Sequence, residues 1–269
     1  MRMVKFLLLA MLFSLSTITE GKRIKSCPLP GYKLVWHDEF SESAIDPNRW
    51  VFQEARAGWV NHELQTYVKG VSPKGRKVAE CKKGKLRIYT FREGDKIYSG
   101  RLYGNRSEGF KYGYIEARIK LPKGKGTWPA WWMMPVSGGR WPACGEIDIM
   151  EEVGVDANEV SSSIHCAAYN HPAKTQKTHR LICEGAEESF HTYALEWTED
   201  YIRTYVDGKE QLYFENDHQG NNDTWPFDKA FYLILNVAWG GDWGGYKGVD
   251  ESALPLTMEV DYVRVWQKD

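Results

Sequence analysis

Short runs of alternating apolar and polar residues recur along the chain from about residue 27 onward. In residues 114–121, the apolar positions 115, 117, 119 and 121 alternate with charged ones, which is the period-two pattern of a half-buried β-strand. Further strand-like runs cover residues 86–91, 193–197, 202–206, 231–239 and 258–266. Many short strands between Gly- and Pro-containing turns, with no sustained helical period, predict an antiparallel β-sandwich.

Turn and linker signals define how these strands are organised. Asp207-Gly208 follows one strand-like run and predicts a tight hairpin of the favoured type. No repeat, low-complexity tract or linker interrupts the rest of the sequence. We therefore interpret residues 22–269 as one domain, a size that single β-sandwiches commonly reach.

Residues 145–153 place acidic side chains inside an apolar run. Glu146 and Asp148 alternate with Ile147 and Ile149, so a strand would send the acids to one face and the isoleucines to the other. The isoleucine face suits a core between sheets, and the acidic face suits a concave, solvent-facing side. Like charges on one strand face repel, and this repulsion can keep one carboxyl protonated near neutral pH. A solvated acidic strand or a cation site is the competing interpretation.

The position of Glu151 conflicts with simple alternation. In a regular strand Glu151 would point away from Glu146, and Glu152 would be the acid on the shared face. A β-bulge at Met150 would return Glu151 to the face of Glu146. The two Cα atoms would then lie roughly 13 Å apart, and side chains leaning together would leave about 5 Å between the carboxyl groups. Such a separation is typical of retaining glycoside hydrolysis.

Composition narrows the class of protein. The 269 residues have a net charge of -1 and include twelve Trp, fifteen Tyr and ten Phe. Near-neutral charge argues against a nucleic-acid partner, which needs a basic field. The aromatic side chains either fill a core or present flat faces to flat ligands such as sugar rings.

The first residues resemble a secretory signal. Arg2 and Lys5 precede the apolar run 6–15, which is too short to span a membrane. We expect residues 1–21 to be a signal peptide and the protein to be secreted; a periplasmic location or a lipid anchor on Cys27 is less favoured. The five cysteines lack metal spacing. The pair Cys166–Cys183 is the best local disulfide candidate, and buried free thiols are the alternative.

Several motifs, in order, resemble glycoside hydrolase family 16 in its laminarinase-like form. The stretch 146–151, E-I-D-I-M-E, matches the bulged E-x-D-x-x-E signature of that family. Four further segments are similar to segments of that family: its N-x-E-L-Q segment at residues 61–67, its S-G-R segment at 99–101, its W-P-A-x-W segment at 128–132 and its closing strand at 261–265. The resemblance spans nearly all of the chain after the signal and implies a β-jelly-roll with a sugar-binding cleft across its concave sheet.

The resemblance also implies roles for individual residues. Glu146 would be the nucleophile, Glu151 the acid/base, and Asp148 the residue that holds and tunes the pair. Asn61, Arg101 and His165 would lie near the substrate. No cofactor is implied for catalysis, but family members often carry a structural calcium, for which Asp261 and Glu39 would be the side-chain ligands. Salt bridges are the competing interpretation of these two acids.

Aromatic residues near the acidic strand are candidates for stacking on sugars. Trp128 and Trp132 are four apart and share strand parity, whereas Trp131 would face the core. Trp141 lies on the segment that leads into the acidic strand. The Gly-rich stretch 239–245, with Trp239 and Trp243, would either close one end of the cleft or form a simple turn.

The sequence leaves three functions open. The bulged signature favours a monomeric, endo-acting, retaining hydrolase of β-1,3- or mixed β-1,3-1,4-glucan. The same fold could act on another β-linked polysaccharide, either an agar- or carrageenan-type galactan or xyloglucan. A lectin-like sandwich that binds glucan without cutting it is the third possibility, but a pure binder has no need of three repelling acids.

Overall fold

A computed structural model describes residues 24–268 of the chain. The predicted signal peptide lies outside the described residues. Within them the chain forms seventeen β-strands and one short α-helix, α1, at Gly241–Gly244. The strands are β1 Tyr32–Asp38, β2 Trp50–Phe52, β3 Gln65–Tyr67, β4 Ala79–Cys81, β5 Leu86–Glu93, β6 Lys96–Ser99, β7 Arg101–Gly104, β8 Gly113–Lys120, β9 Thr127–Pro135, β10 Glu146–Glu152, β11 Glu159–His165, β12 Lys177–Ile182, β13 His191–Trp197, β14 Tyr201–Val206, β15 Lys209–Glu215, β16 Phe231–Trp239 and β17 Leu256–Lys268.

Two sheets pack face to face. One has seven strands in the order β12-β11-β10-β9-β16-β7-β2. The other has ten strands, eight of them in the order β15-β14-β13-β8-β17-β5-β6-β3, with β1 on β17 and β4 on β5. Nearly all of the pairings are antiparallel. The predicted sandwich is confirmed, and the predicted runs 86–91, 114–121, 193–197, 202–206, 231–239 and 258–266 all fall on strands.

The alternation seen in the sequence sorts the side chains between the core and the outer faces. On β9, Trp131 and Met133 are fully buried between the sheets, while Trp128 and Trp132 lie on the opposite, outer face. The Asp207-Gly208 turn is also confirmed, because both residues have positive φ and Val206 pairs with Lys209 across it. The sorting of side chains on β9 and the hairpin turn both follow from the backbone geometry of a few neighbouring residues.

A β-bulge interrupts β10 between Asp148 and Glu151. Met150 keeps its register opposite Trp131 of β9, whereas Ile149 has no partner on that strand. Relative to β9 the extra residue is therefore Ile149, whereas relative to β11 both Ile149 and the predicted Met150 lie in the bulge. Both side chains point into the core and are fully buried. Two successive inward residues return Glu151 to the outer face, and Glu152 is buried instead.

The structure decides between the alternatives for the cysteines and for the Gly-rich stretch. All five cysteines are free, so no Cys166–Cys183 disulfide forms. These cysteines follow opposite ends of the β11–β12 ladder, which places them roughly 25 Å apart along the strands, far beyond the reach of a disulfide. The Gly-rich stretch is not a simple turn, because Trp239 ends β16 in the core and α1 presents Trp243 outward.

No helix among residues 24–268 has both the length and the apolar character needed to cross a bilayer.

Ile149→Ala tests the contribution of the bulge to the core. Because the side chain is fully buried, its truncation should lower the free energy of unfolding by about 2–5 kcal/mol. Guanidinium denaturation measures this change. Val51→Ala is the control, since Val51 is 49% exposed on β2 and should cost less than about 1 kcal/mol. Equal losses in the two variants would contradict this view of the core.

Candidate active site

The three acidic side chains share the outer face of β10. Glu146 pairs with His165 of β11, and Glu151 pairs with Ser161 of the same strand. Asp148 lies between them, opposite Trp132 of β9. Directly opposite residues in antiparallel strands project to the same face, so His165 and Trp132 border the acids. The structure therefore brings together the acids, the histidine and the tryptophan that the sequence singled out.

An indole group contacts each of the two glutamates. The Trp128 Nε1–H donates to Glu151 Oε1 at 2.9 Å. The Trp141 Nε1–H donates to Glu146 Oε2. A hydrogen bond to a carboxylate favours its ionised form and fixes its orientation. Two tryptophans that the sequence predicts to stack on sugars thus also hold the acidic side chains in place.

The surroundings of the three acids raise their pKa values. Burial, and then the charge of Asp148, raise the pKa of Glu146 to about 8. Burial raises the pKa of Glu151 to about 7, against the opposing hydrogen bond from Trp128. Burial and the charge of Glu151 raise the pKa of Asp148. Near neutral pH the cluster therefore holds at least one proton, which it can donate.

Glu146 and Asp148 interact directly. Oxygen atoms of the two carboxyl groups lie within 4.8 Å of each other, and the neighbouring Asp148 raises the pKa of Glu146, so the pair can share one proton. His165 Nε2 lies 3.2 Å from Asp148 Oδ2, and the imidazole charge lowers the pKa of both Glu146 and Glu151. One carboxylate of the pair can therefore be ionised while the other keeps the proton.

The same three groups have the spacing of metal ligands. Ligand atoms of Glu146, Asp148 and His165 all lie within 4.8 Å of one another. A proton shared by the two carboxyl groups, together with the imidazole, accounts for this proximity.

A cleft crosses the outer face of the seven-stranded sheet at the acids. It has two halves, with cavities of about 490 Å³ and about 320 Å³. Glu146, Glu151, Asn61, Trp128 and His171 line both halves. The acids therefore sit at the junction, with room for ligand on either side of them.

The larger half is walled mainly by aromatic side chains. Trp59, Tyr103, Trp132 and Tyr232 line it, and apolar walls with a few polar groups are typical of sugar-binding clefts. The guanidinium of Arg101 lies 4.7 Å from the ring centre of Trp132 and 5.3 Å from that of Trp59. This stacking fixes the flat faces that border the cleft.

Glu63 anchors the polar residues of the larger half. Its carboxylate accepts a hydrogen bond from Asn61 Nδ2 at 3.3 Å and one from Gln65 Nε2 at 2.6 Å. Burial raises the pKa of Glu63, and the nearby Arg101 opposes that shift. Glu63 lies in the N-x-E-L-Q segment, but no pattern in the sequence marks it as a residue of the site.

The smaller half is more polar. Thr178 and Arg180 of β12 line it together with Gln176, which directly precedes that strand, and Trp243 lines it from α1. The guanidinium of Arg180 lies 5.6 Å from the Trp243 ring centre, and Trp243 meets Trp128 edge-on at 5.3 Å. Sequence reasoning missed most of these residues because they come from an edge strand and a loop that no motif connects to β10.

The two acids predicted to bind calcium do not fit a shared cation site. Both carboxylate oxygens of Glu39 accept hydrogen bonds from Arg264, at 2.8 and 2.9 Å. Asp261 Oδ2 accepts from Arg118 at 2.8 Å. These side chains balance arginines rather than offering oxygen atoms to calcium, so the competing salt-bridge interpretation describes them and no chemical step involves the ion.

Comparison with known proteins agrees with the geometry of the site. The family model "Glycosyl hydrolases family 16" matches residues 70–264. A protein of Rhodothermus marinus named beta-glucanase is 38% identical, over 99% of this chain and 95% of its own length.

Two solved structures show the same fold. The non-specific endo-beta-1,3(4)-glucanase SCLam has a TM-score of 0.84 at 47% identity, over 90% of this chain and 93% of its own. The laminarinase from Rhodothermus marinus has a TM-score of 0.83 at 40% identity, over 89% of this chain and 98% of its own. This chain is a glycoside hydrolase and belongs to glycoside hydrolase family 16.

Proposed function

We propose that the protein is a secreted, endo-acting, retaining β-glucanase that hydrolyses β-1,3-glucan, mixed β-1,3-1,4-glucan, or both. The observation that carries this proposal is the position of Glu146 and Glu151 at the junction of a two-sided cleft. A cleft that continues past the acids in both directions suits cleavage within a polymer. The similar proteins named as β-glucanases and laminarinases support β-glucan as the substrate class.

The first chemical step transfers the sugar to the enzyme. Glu151 donates its proton to the glycosidic oxygen that departs, while the ionised Glu146 attacks the anomeric carbon. Glu146 can be ionised because the proton it shares with Asp148 can reside on Asp148. His165 beside Asp148 lowers the pKa of Glu146 and so favours this arrangement.

The second step releases the sugar. Glu151, now deprotonated, takes a proton from a water molecule that attacks the anomeric carbon, and the bond to Glu146 breaks. The configuration at that carbon is retained, because two inversions occur in sequence. The indole of Trp128 donates to Glu151 and stabilises the anion that exists between the two steps.

Aromatic and polar side chains position the polymer. In the larger half, Trp132 and Trp59 offer flat faces to the C–H surfaces of sugar rings, and Asn61 and Arg101 offer hydrogen bonds to their hydroxyl groups. In the smaller half, Trp243 and Arg180 provide the corresponding contacts.

Substrate preference is tested by product analysis on laminarin, barley mixed-linkage glucan, agarose and carrageenan under the same conditions. We expect new reducing ends from the first two polymers only, and NMR should show the β-anomer forming first. Cleavage of agarose or carrageenan alone would overturn the substrate proposal, and an initial α-anomer would overturn the retaining mechanism.

Glu146→Gln and Glu151→Gln test the roles of the two acids. Each substitution removes a group that acts on the reacting bond and should lower kcat on laminarin by roughly a thousandfold or more. Glu152→Gln is the matched control on the same strand. Burial raises the pKa of Glu152 to about 8, so its neutral side chain resembles Gln at pH 7. Unchanged sugar release by Glu146→Gln would mean that another residue is the nucleophile.

Trp128→Phe tests the control of the acid/base. Trp128 lowers the pKa of Glu151, so loss of its indole N–H should raise that pKa. Glu151 must be protonated to act as the acid, so activity falls as pH rises through its pKa, near 7. The alkaline limb of the kcat/KM profile should therefore move to higher pH in the variant. In the control Trp132→Phe, the lost indole donates to Asn236, and the limb should stay in place; a shift in both variants would argue against a specific effect of Trp128.

A further inference from the structure

Three side chains with metal-binding chemistry converge at one end of the sandwich, away from the cleft. Cys183 directly follows β12, His191 begins β13, and Asp207 lies in the turn between β14 and β15. Their ligand atoms all lie within 4.8 Å of one another. β12 belongs to the seven-stranded sheet and the other two elements to the ten-stranded sheet, so the cluster spans the two layers.

Acidic side chains lie near the Cys183 thiol. Asp207 and Glu184 place negative charge close to it. Fully buried Glu152 has one side-chain oxygen with no hydrogen-bond partner. The hydroxyl of Tyr193, also fully buried, interacts with the Cys183 thiol. An unpartnered buried polar atom such as the Glu152 oxygen requires an explanation, and a cation near it would supply one.

The geometry of His191 suits a metal ligand. Its Nδ1 lies 2.6 Å from Asp207 Oδ2, and its Nε2 lies 2.9 Å from Ser189 Oγ. The Ser189 hydroxyl itself donates to the Gly185 carbonyl oxygen at 3.1 Å, so it can accept a hydrogen bond from Nε2–H. Ser189 would then hold Nε2–H, as a partner usually holds the second nitrogen of a ligating histidine, while Nδ1 would release to solvent the proton it shares with Asp207 and bind the metal.

We propose that Cys183, His191 and Asp207 bind a zinc ion that ties the two sheets together. Zinc accepts thiolate, imidazole and carboxylate ligands in tetrahedral sites. Asp207 is about half exposed, which leaves a path for entry and a fourth position for water. The expected role is stabilisation of this end of the sandwich, and the proposal is independent of the hydrolytic function.

Cobalt binding tests the proposal directly. Metal-free wild-type protein titrated with Co²⁺ should develop one sulfur-to-cobalt charge-transfer band per chain, which Zn²⁺ should abolish. Cys183→Ala should remove the band. The control Cys144→Ser should keep it, and this excludes a signal from the thiol that lies close to Glu146 in sequence. Absence of the band in wild type, or its persistence in Cys183→Ala, would overturn the proposal.

Thermal unfolding with zinc provides a second test, whose signal does not come from the thiol and whose variant leaves Cys183 unchanged. Zinc at a hundred times its Kd should raise the Tm of wild type by roughly 5–10 °C. Asp207→Asn keeps a residue suited to positive φ before Gly208, so the turn should still form, but the metal affinity should fall roughly tenfold or more. An equal rise in Tm for this variant would contradict the proposal, because it would show that zinc binds without Asp207.

Discussion

The active site depends on one irregularity in one strand. β10 carries two successive inward residues, Ile149 and Met150, and the core accepts both. This bulge puts Glu151 on the same face as Glu146 and Asp148. Burial of the two apolar side chains holds the bulge in place, so hydrophobic packing on one side of the strand fixes the geometry of the acids on the other. A substitution that disturbs the packing of this part of the core would therefore also disturb the positions of the acids.

Crowding three acids on one face has an energetic cost that the surrounding side chains reduce. Two indole N–H groups donate to the glutamates, and the imidazole of His165 lies beside Asp148. Without these groups, repulsion would drive every carboxyl toward its neutral form. With them, the site can keep one ionised acid close to a protonated one, which is the state that nucleophilic attack with proton donation requires.

Much of this arrangement could be predicted because it is local in sequence. Alternation on β9 assigns Trp131 to the core and Trp132 to the cleft, and the spacing from Glu146 to Glu151 requires a bulge. Features built from distant segments could not be predicted in this way. Glu63 reaches the cleft from a loop and Arg180 from an edge strand, and the Arg264 partner of Glu39 lies at the other end of the chain. The Cys166–Cys183 disulfide could not be judged from the sequence, because two residues that are near in sequence can still lie at opposite ends of a pair of strands.

The alternation on β9 also separates the residues that determine substrate binding from those that determine stability. Trp128, Ala130, Trp132 and Met134 face the cleft, while the residues between them pack in the interior. Substitutions on the outer face can reshape the groove for a new polymer without opening cavities inside. Related enzymes can thus acquire a new substrate specificity through single substitutions on this face, while the thermal stability of the fold stays nearly constant.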